Sequence, residues 1–545
     1  MELHPATEPL RNLPKHQKYK TAYKPNDLFW GLGIEHETYL ESSQRLTVSR
    51  EELKARRKAE RYCVSYYNVY KPAVLDGLFS LLPPTVEVPI LANAHTFQAT
   101  DLSGEHRTTY ERSPKPNPRY SGQSIIEWLK EFNPEYFDAE YEGAYMFDGD
   151  TVEFVSQNFY KATVDDAVGE LARAELAFEA ELGTAMASCS RTPISSHAPF
   201  RLATRNWPWA TYLTNRENYS MFNNGTLHIN ITLPTVLDAS GAAPADMGRF
   251  VVEHREFIRA IQWLEPLLVA VYGSPDPWST VSDRFAKGSQ RVAVSRYIGL
   301  GTYDTQTMPR GKILTVKRAP GWMDTFYAQT DYVPLPDVGL DVNFNKHYCH
   351  GVELRMLDAM PLVDLADICR TLVSLADYSL AVGSVTDPRP NPVWQGLARR
   401  CLLTGPDTVL TREEQTVLTT IFRSGQTVVD GGVPVGIFYK ELTAYLAKKY
   451  ADGVCAGCFL RGEKPRDGPF GLLPGTTVPG AGAVAESRPV PDSQTEMPAS
   501  QEARAPVAAQ PVAQPVAQPE IVPPPASKKL SLWSCMCYCR VASEK

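Results

Sequence analysis

The sequence predicts an α+β protein built on an antiparallel β-sheet with helices packed on one face, followed by a disordered tail. Three observations carry that expectation. Strand-like runs and amphipathic helices alternate irregularly, without the βαβ rhythm of a doubly wound parallel sheet. No glycine-rich phosphate loop is present, since Gly31-Leu32-Gly33 supplies only two glycines. The composition also changes abruptly after residue 460, with 14 of the 44 prolines lying between Pro465 and Pro525.

In chain order, Gly31 to Leu40 reads as a buried strand and Ser49 to Tyr62 as a charged amphipathic helix. Prolines and polar residues dominate Leu81 to Arg119, which suggests a long loop or insertion, near 81–119, that closes over a site. Met146 to Val155 is strand-like around an Asp148-Gly149-Asp150 turn. Thr163 with Asp166 is a capping box, and Leu171, Phe178 and Leu182 give the helix behind it an apolar stripe. Further helices follow from Phe250, Phe257, Ile261, Leu264 and Leu268, and from Leu362, Leu365, Ile368, Leu372 and Leu375. A second capping box is Thr411 with Glu414. The expected organisation is a domain over 1–460, a Pro/Ala-rich disordered linker over 461–530 and a Cys-rich tail over 531–545.

At 545 residues the chain is long enough for one large catalytic unit with appendages. A net charge of −7 with 21% charged residues calls for neither nucleic acid nor an anionic membrane surface. No apolar run approaches the roughly 20 residues of a spanning helix, and Met1 to Lys20 is too polar for a secretory signal, so a cytoplasmic location is expected. Ten cysteines scattered over this length suggest reduced thiols rather than a disulfide framework. The pair Cys455-Ala456-Gly457-Cys458 has zinc spacing but lacks a second pair, so it reads as two plain cysteines in a Gly-rich turn.

The chemistry concentrates in short strands that place polar groups two residues apart, hence on one face. Glu35 and Glu37 lie between Phe29, Trp30, Ile34 and Tyr39, and two such carboxylates repel each other unless a cation sits between them. Glu153 adds a carboxylate on an apolar strand, whereas Asp148 and Asp150 read as turn formers beside Gly149. His228, Asn230 and Thr232 alternate with Leu227, Ile229 and Ile231. Glu353 precedes Arg355, whose planar fork suits phosphate or carboxylate oxygens. Water-facing glutamates, a satisfied core histidine and a structural Glu353–Arg355 ion pair are the plain alternatives. Oxygen ligands of this kind suit magnesium or manganese.

Taken in order, these segments resemble the motifs of the glutamine synthetase and glutamate-cysteine ligase superfamily of carboxylate-amine ligases. Gly33-Ile34-Glu35-His36-Glu37 is similar to the first-strand Gly-x-Glu-x-Glu motif, especially its Glu-His-Glu form. Asp148 to Ser156 resembles the Asp-Gly-x…Glu-Leu-Val-Ser segment of amidoligases, Gly225 to Asn230 the His-x-Asn strand, and Glu353-Leu354-Arg355 the Glu-x-Arg motif. The second segment is shortened, and Asn230 stands where the amidoligase form has a second histidine. The resemblance implies a glutamine synthetase-like half-barrel binding ATP and two or three Mg2+ or Mn2+ ions. It assigns Glu35, Glu37, Glu153, His228 and Glu353 as metal ligands and Arg355 as the catalytic contact to the transferred phosphoryl group. Asn230, Arg291 and Arg296 become candidates for nucleotide phosphate, with Lys287, Arg310 and Lys312 behind them. The implied reaction joins a small carboxylate and an amine, or a peptide or protein, into a γ-glutamyl-like or other amide through an acyl phosphate. A non-catalytic adaptor derived from that fold, and a metal-dependent hydrolase, are the alternatives.

In the tail, Cys535, Cys537 and Cys539 follow Lys528, Lys529 and Trp533. Closely spaced cysteines beside basic and aromatic residues are candidate S-acylation sites, and two or more acyl chains would attach the protein to a membrane.

Overall fold

A computed structural model describes residues 24–58, 72–94, 123–138, 144–148, 151–189, 196–213, 215–241, 243–295, 302–304, 311–314, 321–332, 342–344 and 351–463. By its internal contacts the chain divides into residues 1–481 and 482–545, and the described residues all belong to the first unit. The linker, the three tail cysteines, Arg296, Arg310, Asp150 and most of the expected insertion lie outside the described residues.

Two sheets form the frame. The larger has eight strands, in the order β11-β10-β12-β13-β9-β1-β5-β4. Its members are β1 (Leu28–Thr38), β4 (Tyr145–Asp148), β5 (Thr151–Val155), β9 (Thr226–Val236), β10 (Thr302–Asp304), β11 (Gly311–Leu314), β12 (Val342–Phe344) and β13 (Val352–Asp358). All pairings are antiparallel except β10 with β12. The sheet is open, with β11 and β4 at its edges. A second sheet, absent from the sequence-based expectation, has the order β6-β2-β3-β7-β8. It comprises β2 (Leu40–Ser49), β3 (Thr85–Ala92), β6 (Phe200–Leu202), β7 (Trp207–Tyr212) and β8 (Asn215–Phe222).

Strand β3 corrects the first part of the long loop or insertion expected from Leu81 to Arg119, since Thr85–Ala92 is paired into a sheet. Val86, Val88 and Ile90 alternate inward and are buried, a period that the flanking prolines mask in the sequence. Strand β1 leads almost without interruption into β2, and only Tyr39 separates them.

On the helical face of the large sheet, Ile34, Phe154, Leu227, Ile229, Ile231 and Leu354 are buried in the main core. Helix α1 (Val164–Ser188) starts at the Thr163–Asp166 capping box and sets Phe178 edge-on against Phe154, with ring centroids 5.3 Å apart. Helix α2 (Met247–Tyr272) is buried along most of its length, and its His254 is pinned at both nitrogens. The ring accepts from the Leu233 N–H at 3.1 Å and donates to the Phe250 carbonyl at 2.7 Å. Helix α3 (Leu362–Val382) packs on α1 and α2 and ends at Gly383 in the left-handed region.

Cys455 and Cys458 lie on helix α4 (Val454–Arg461), not in a turn, and both are buried and free. The first turn of α4 is held by Asp377 of α3, which accepts from the N–H groups of Cys455 and Ala456 at 2.8 Å each. Burial raises both thiols, that of Cys458 to about 12. Among the described residues no helix is long and apolar enough to cross a membrane.

Candidate metal and phosphoryl-transfer site

Four adjacent strands build the site. Residues directly opposite each other in an antiparallel pair share a face. Glu35 of β1 is opposite His228 of β9, and Glu37 is opposite Glu153 of β5. Asn230 of β9 is opposite Glu353 of β13. The registers therefore place Glu35, Glu37, Glu153, His228, Asn230 and Glu353 together on the face away from the helices.

The turn into β9 is tightly specified. Gly225 has φ +109°, and a Cβ there would stand 2.1 Å from the Glu37 carbonyl oxygen, so only glycine lets the turn lie against β1. Glycines also shape the other end of the face. A Cβ on Gly31 or Gly33 would strike the Phe159 ring at 2.1 or 2.9 Å.

His228 is the hub. Its Nδ1 lies 3.1 Å from Glu35 Oε2, 3.8 Å from Glu353 Oε1 and 4.0 Å from Glu37 Oε1. Asn230 Nδ2 donates to Glu35 Oε1 at 3.3 Å, and Arg355 pairs with Glu353 at 2.9 Å. His228 is fully buried, and burial pushes its pKa down, with Arg355 acting in the same direction against the pull of Glu35, Glu37 and Glu353. A neutral ring is the form that ligates metal.

Each tautomer of that neutral ring leaves something unfilled. With the proton on Nδ1, the lone pair of Nε2 is buried with no hydrogen-bond partner. With the proton on Nε2, the Nδ1 lone pair faces three carboxylate oxygens, an arrangement that a cation relieves. Among the described residues, two groups have the spacing of a cation site. Ligand atoms of Glu35, His228 and Glu353 lie within 4.8 Å of one another, as do those of Glu37, Asp148 and Glu153. The first set offers nitrogen and oxygen, whereas the second is all oxygen and suits a hard ion such as Mg2+ or Mn2+.

Asp148 reads from the sequence as a turn former, and its carboxylate also lies with those of Glu37 and Glu153. The signal was available in the hairpin register. Met146 pairs with Glu153, so Asp148, two residues on, shares the face of Glu153. Its carbonyl does serve the turn, accepting from the Thr151 hydroxyl at 2.8 Å.

Arg355 is partly exposed beside Glu353. Arg291 is buried under β13, where its Nε donates to the Arg355 carbonyl at 3.3 Å and its charge holds down the carboxyl of Asp358. Burial nonetheless lifts Asp358 to about 6, against hydrogen bonds from Ser289, Ser274 and Asn223. Lys287 pairs with Asp283 and Asp407 at the surface. His36, between Glu35 and Glu37, points to the opposite face and meets Glu175 of α1 at 2.7 Å.

No protein-family model matches the chain. It is similar to "Uncharacterized protein R704" of Acanthamoeba polyphaga mimivirus, with 34% identity over 452 residues, 81% of this chain and 78% of the viral one.

Proposed function

The chain belongs to the same family as mimivirus protein R704, and from its site we propose that it is an ATP- and Mg2+-dependent carboxylate-amine ligase. The observation that carries this reading is the convergence of Glu35, Glu37, Glu153, His228 and Glu353, from four neighbouring strands, on one buried face beside Arg355. So many carboxylates with so few cations fit a site that completes itself with divalent ions. Glu35, His228 and Glu353 would hold one ion, and Glu37, Asp148 and Glu153 another. When bound, such ions neutralise phosphate charge and act as Lewis acids.

In the proposed reaction an oxygen of the substrate carboxylate forms a bond to the γ-phosphorus of ATP as the bond to the bridging oxygen breaks, giving an acyl phosphate and ADP. The nitrogen of an amine then bonds to the acyl carbon, inorganic phosphate leaves and the amine gives up a proton. Arg355, held in orientation by Glu353, would stabilise the charge on the transferred phosphoryl group. Asn230 would keep Glu35 in place through its amide. Burial of the face would keep water from the acyl phosphate. The glutamine synthetase-like half-barrel is part of this proposal.

Purified full-length protein incubated with Mg2+, ATP and amino-acid or peptide mixtures should release phosphate only when both an acid and an amine are present. Glu37→Ala should abolish the release. Failure to bind ATP in the presence of Mg2+ or Mn2+ would overturn the reading. The proposal extends to the tail, where acylation of Cys535, Cys537 and Cys539 would place the enzyme at a membrane surface. Hydroxylamine-sensitive acyl labelling, lost when the three cysteines are changed to serine, tests this.

A further inference from the structure

Strand β13 is irregular at Arg355, the residue proposed to meet the transferred phosphoryl group. Leu354 is opposite Ile229 of β9, and the next pair is Leu357 with Leu227, so three residues of β13 advance against two of β9. The extra residue falls at Arg355–Met356. Such a bulge interrupts the alternation of a strand and re-aims the side chains around it. It is also why Leu354 and Leu357, three apart, both reach the main core. A strand with a residue to spare can shift it along the ladder, and each shift by one turns a side chain to the other face. The place of the bulge therefore decides whether Arg355 stands beside Glu353, where the two pair at 2.9 Å.

The neighbouring strand does not hold it there. Pairing of β12 with β13 runs from Phe344–Val352 to Val342–Leu354 and goes no further among the described residues. Beyond it lies the short helix Gln290–Ser295, whose Arg291 is 2% exposed and donates through Nε to the Arg355 carbonyl at 3.3 Å. A buried guanidinium needs a counter-charge, and buried Asp358, three residues past Arg355 on the same strand, supplies it. Asp358 is itself fixed on several sides. It accepts from the Ser274 N–H at 3.2 Å, from the Asn223 amide at 3.5 Å and from the Ser289 side chain. Asn223 Oδ1 in turn accepts from the Gly225 N–H at 3.1 Å, so the same network reaches the turn that lies against Glu37. Apolar side chains would fill this volume at less electrostatic cost, which asks for a reason to keep two charges in it.

We propose that Arg291, held by Asp358, is a positioning residue for phosphoryl transfer: by clamping the β13 bulge at the Arg355 carbonyl it aims the Arg355 guanidinium at the terminal phosphoryl group, without touching the nucleotide itself. This rests on the ligase reading for the reaction that it serves.

The test uses the full chain with Mn2+ and two probes, ADP and the non-hydrolysable β,γ-imido analogue of ATP, with binding followed by calorimetry. The difference between the probes isolates the contact to the terminal phosphoryl group, whereas a merely structural loss weakens both alike. Wild type should bind the analogue at least about ten-fold more tightly than ADP. Arg291→Met should bring the two to within about two-fold of each other, with ADP affinity and Mn2+ binding by electron paramagnetic resonance unchanged. Arg355→Met should do the same, and the double variant should be no worse than Arg355→Met alone, because both changes remove one contact. Losing Arg291 leaves Asp358 buried without its counter-charge, so Arg291→Met combined with Asp358→Asn is the second variant. Neutral and similar in volume, it should melt close to wild type and still lack the preference. A preference for the analogue that survives in this pair variant, or effects of Arg291→Met and Arg355→Met that add, overturns the proposal and leaves the ligase reading standing. Wild type that binds neither nucleotide with Mn2+ overturns the ligase reading, and this role falls with it.

Discussion

Replacing Glu37 by glutamine should stabilise the metal-free protein and remove part of its response to metal. Glu37 shares the sheet face with Asp148 and Glu153, with ligand atoms within 4.8 Å, and its nearest nitrogen partner, His228 Nδ1, is 4.0 Å away. For two carboxylates 4.8 Å apart at an effective dielectric of about 20, the repulsion is about 3.5 kcal/mol. The side chain is 18% exposed, so screening lowers this, and a net gain of roughly 1–2 kcal/mol on losing the charge is expected. Glutamine has the same shape, which leaves packing unchanged.

In a thermal melt with chelator, the variant should unfold a few degrees above wild type. Adding Mn2+ reverses the order, because a ligand at 100 times its dissociation constant stabilises by about 2.7 kcal/mol and the variant has lost one carboxylate ligand. The crossing of the two curves is diagnostic. A variant that melts below wild type in chelator, or that gains as much from Mn2+, would show that these carboxylates are not strained for want of a cation.

Arg355→Lys keeps the charge but loses the fork, and ATP turnover should fall about 100-fold with Mn2+ affinity unchanged, as read by steady-state kinetics and calorimetry. Gly225→Ala places a methyl 2.1 Å from the Glu37 carbonyl at φ +109°, so a loss of at least about 2 kcal/mol in denaturant unfolding is expected together with weaker Mn2+ binding. For His254, burial lowers the pKa from 6.5 to about 4, against the Phe250 hydrogen bond. The unfolded chain then takes up this proton first, so the contribution is complete above pH 6.5 and is lost as pH falls toward 4, by about 3 kcal/mol in all. His254→Gln should flatten that part of the stability curve. The difference between variant and wild type isolates His254 from Asp358 and Asp377, whose carboxyls, raised to about 6, lose stabilisation in the opposite direction, as pH rises.

What could be read from the sequence was local periodicity, and what could not was the pairing of distant strands. The three polar pairs were visible because a strand repeats every two residues, and both capping boxes because they span three. Nothing local says that β1 lies between β5 and β9, which join it over a hundred residues away. Yet that order decides the chemistry, since it sets Glu37 against Glu153 and Glu35 against His228. Asp148 shows how the two kinds of information collide. An aspartate beside a glycine is a good turn former on local grounds, and only the register of β4 on β5 carries its carboxylate to Glu37. Arg291 shows the limit from another side. Its charge made it a candidate phosphate ligand, but direction is a tertiary property, and α-helical Gln290–Ser295 turns it under β13, where it serves Asp358 and the Arg355 carbonyl. The second sheet stayed hidden for a third reason, because β3 and β7 contain prolines and its five strands are scattered over residues 40–222. Its consequence is a face that continues across Tyr39, whose ring meets Phe222 of β8 edge-on.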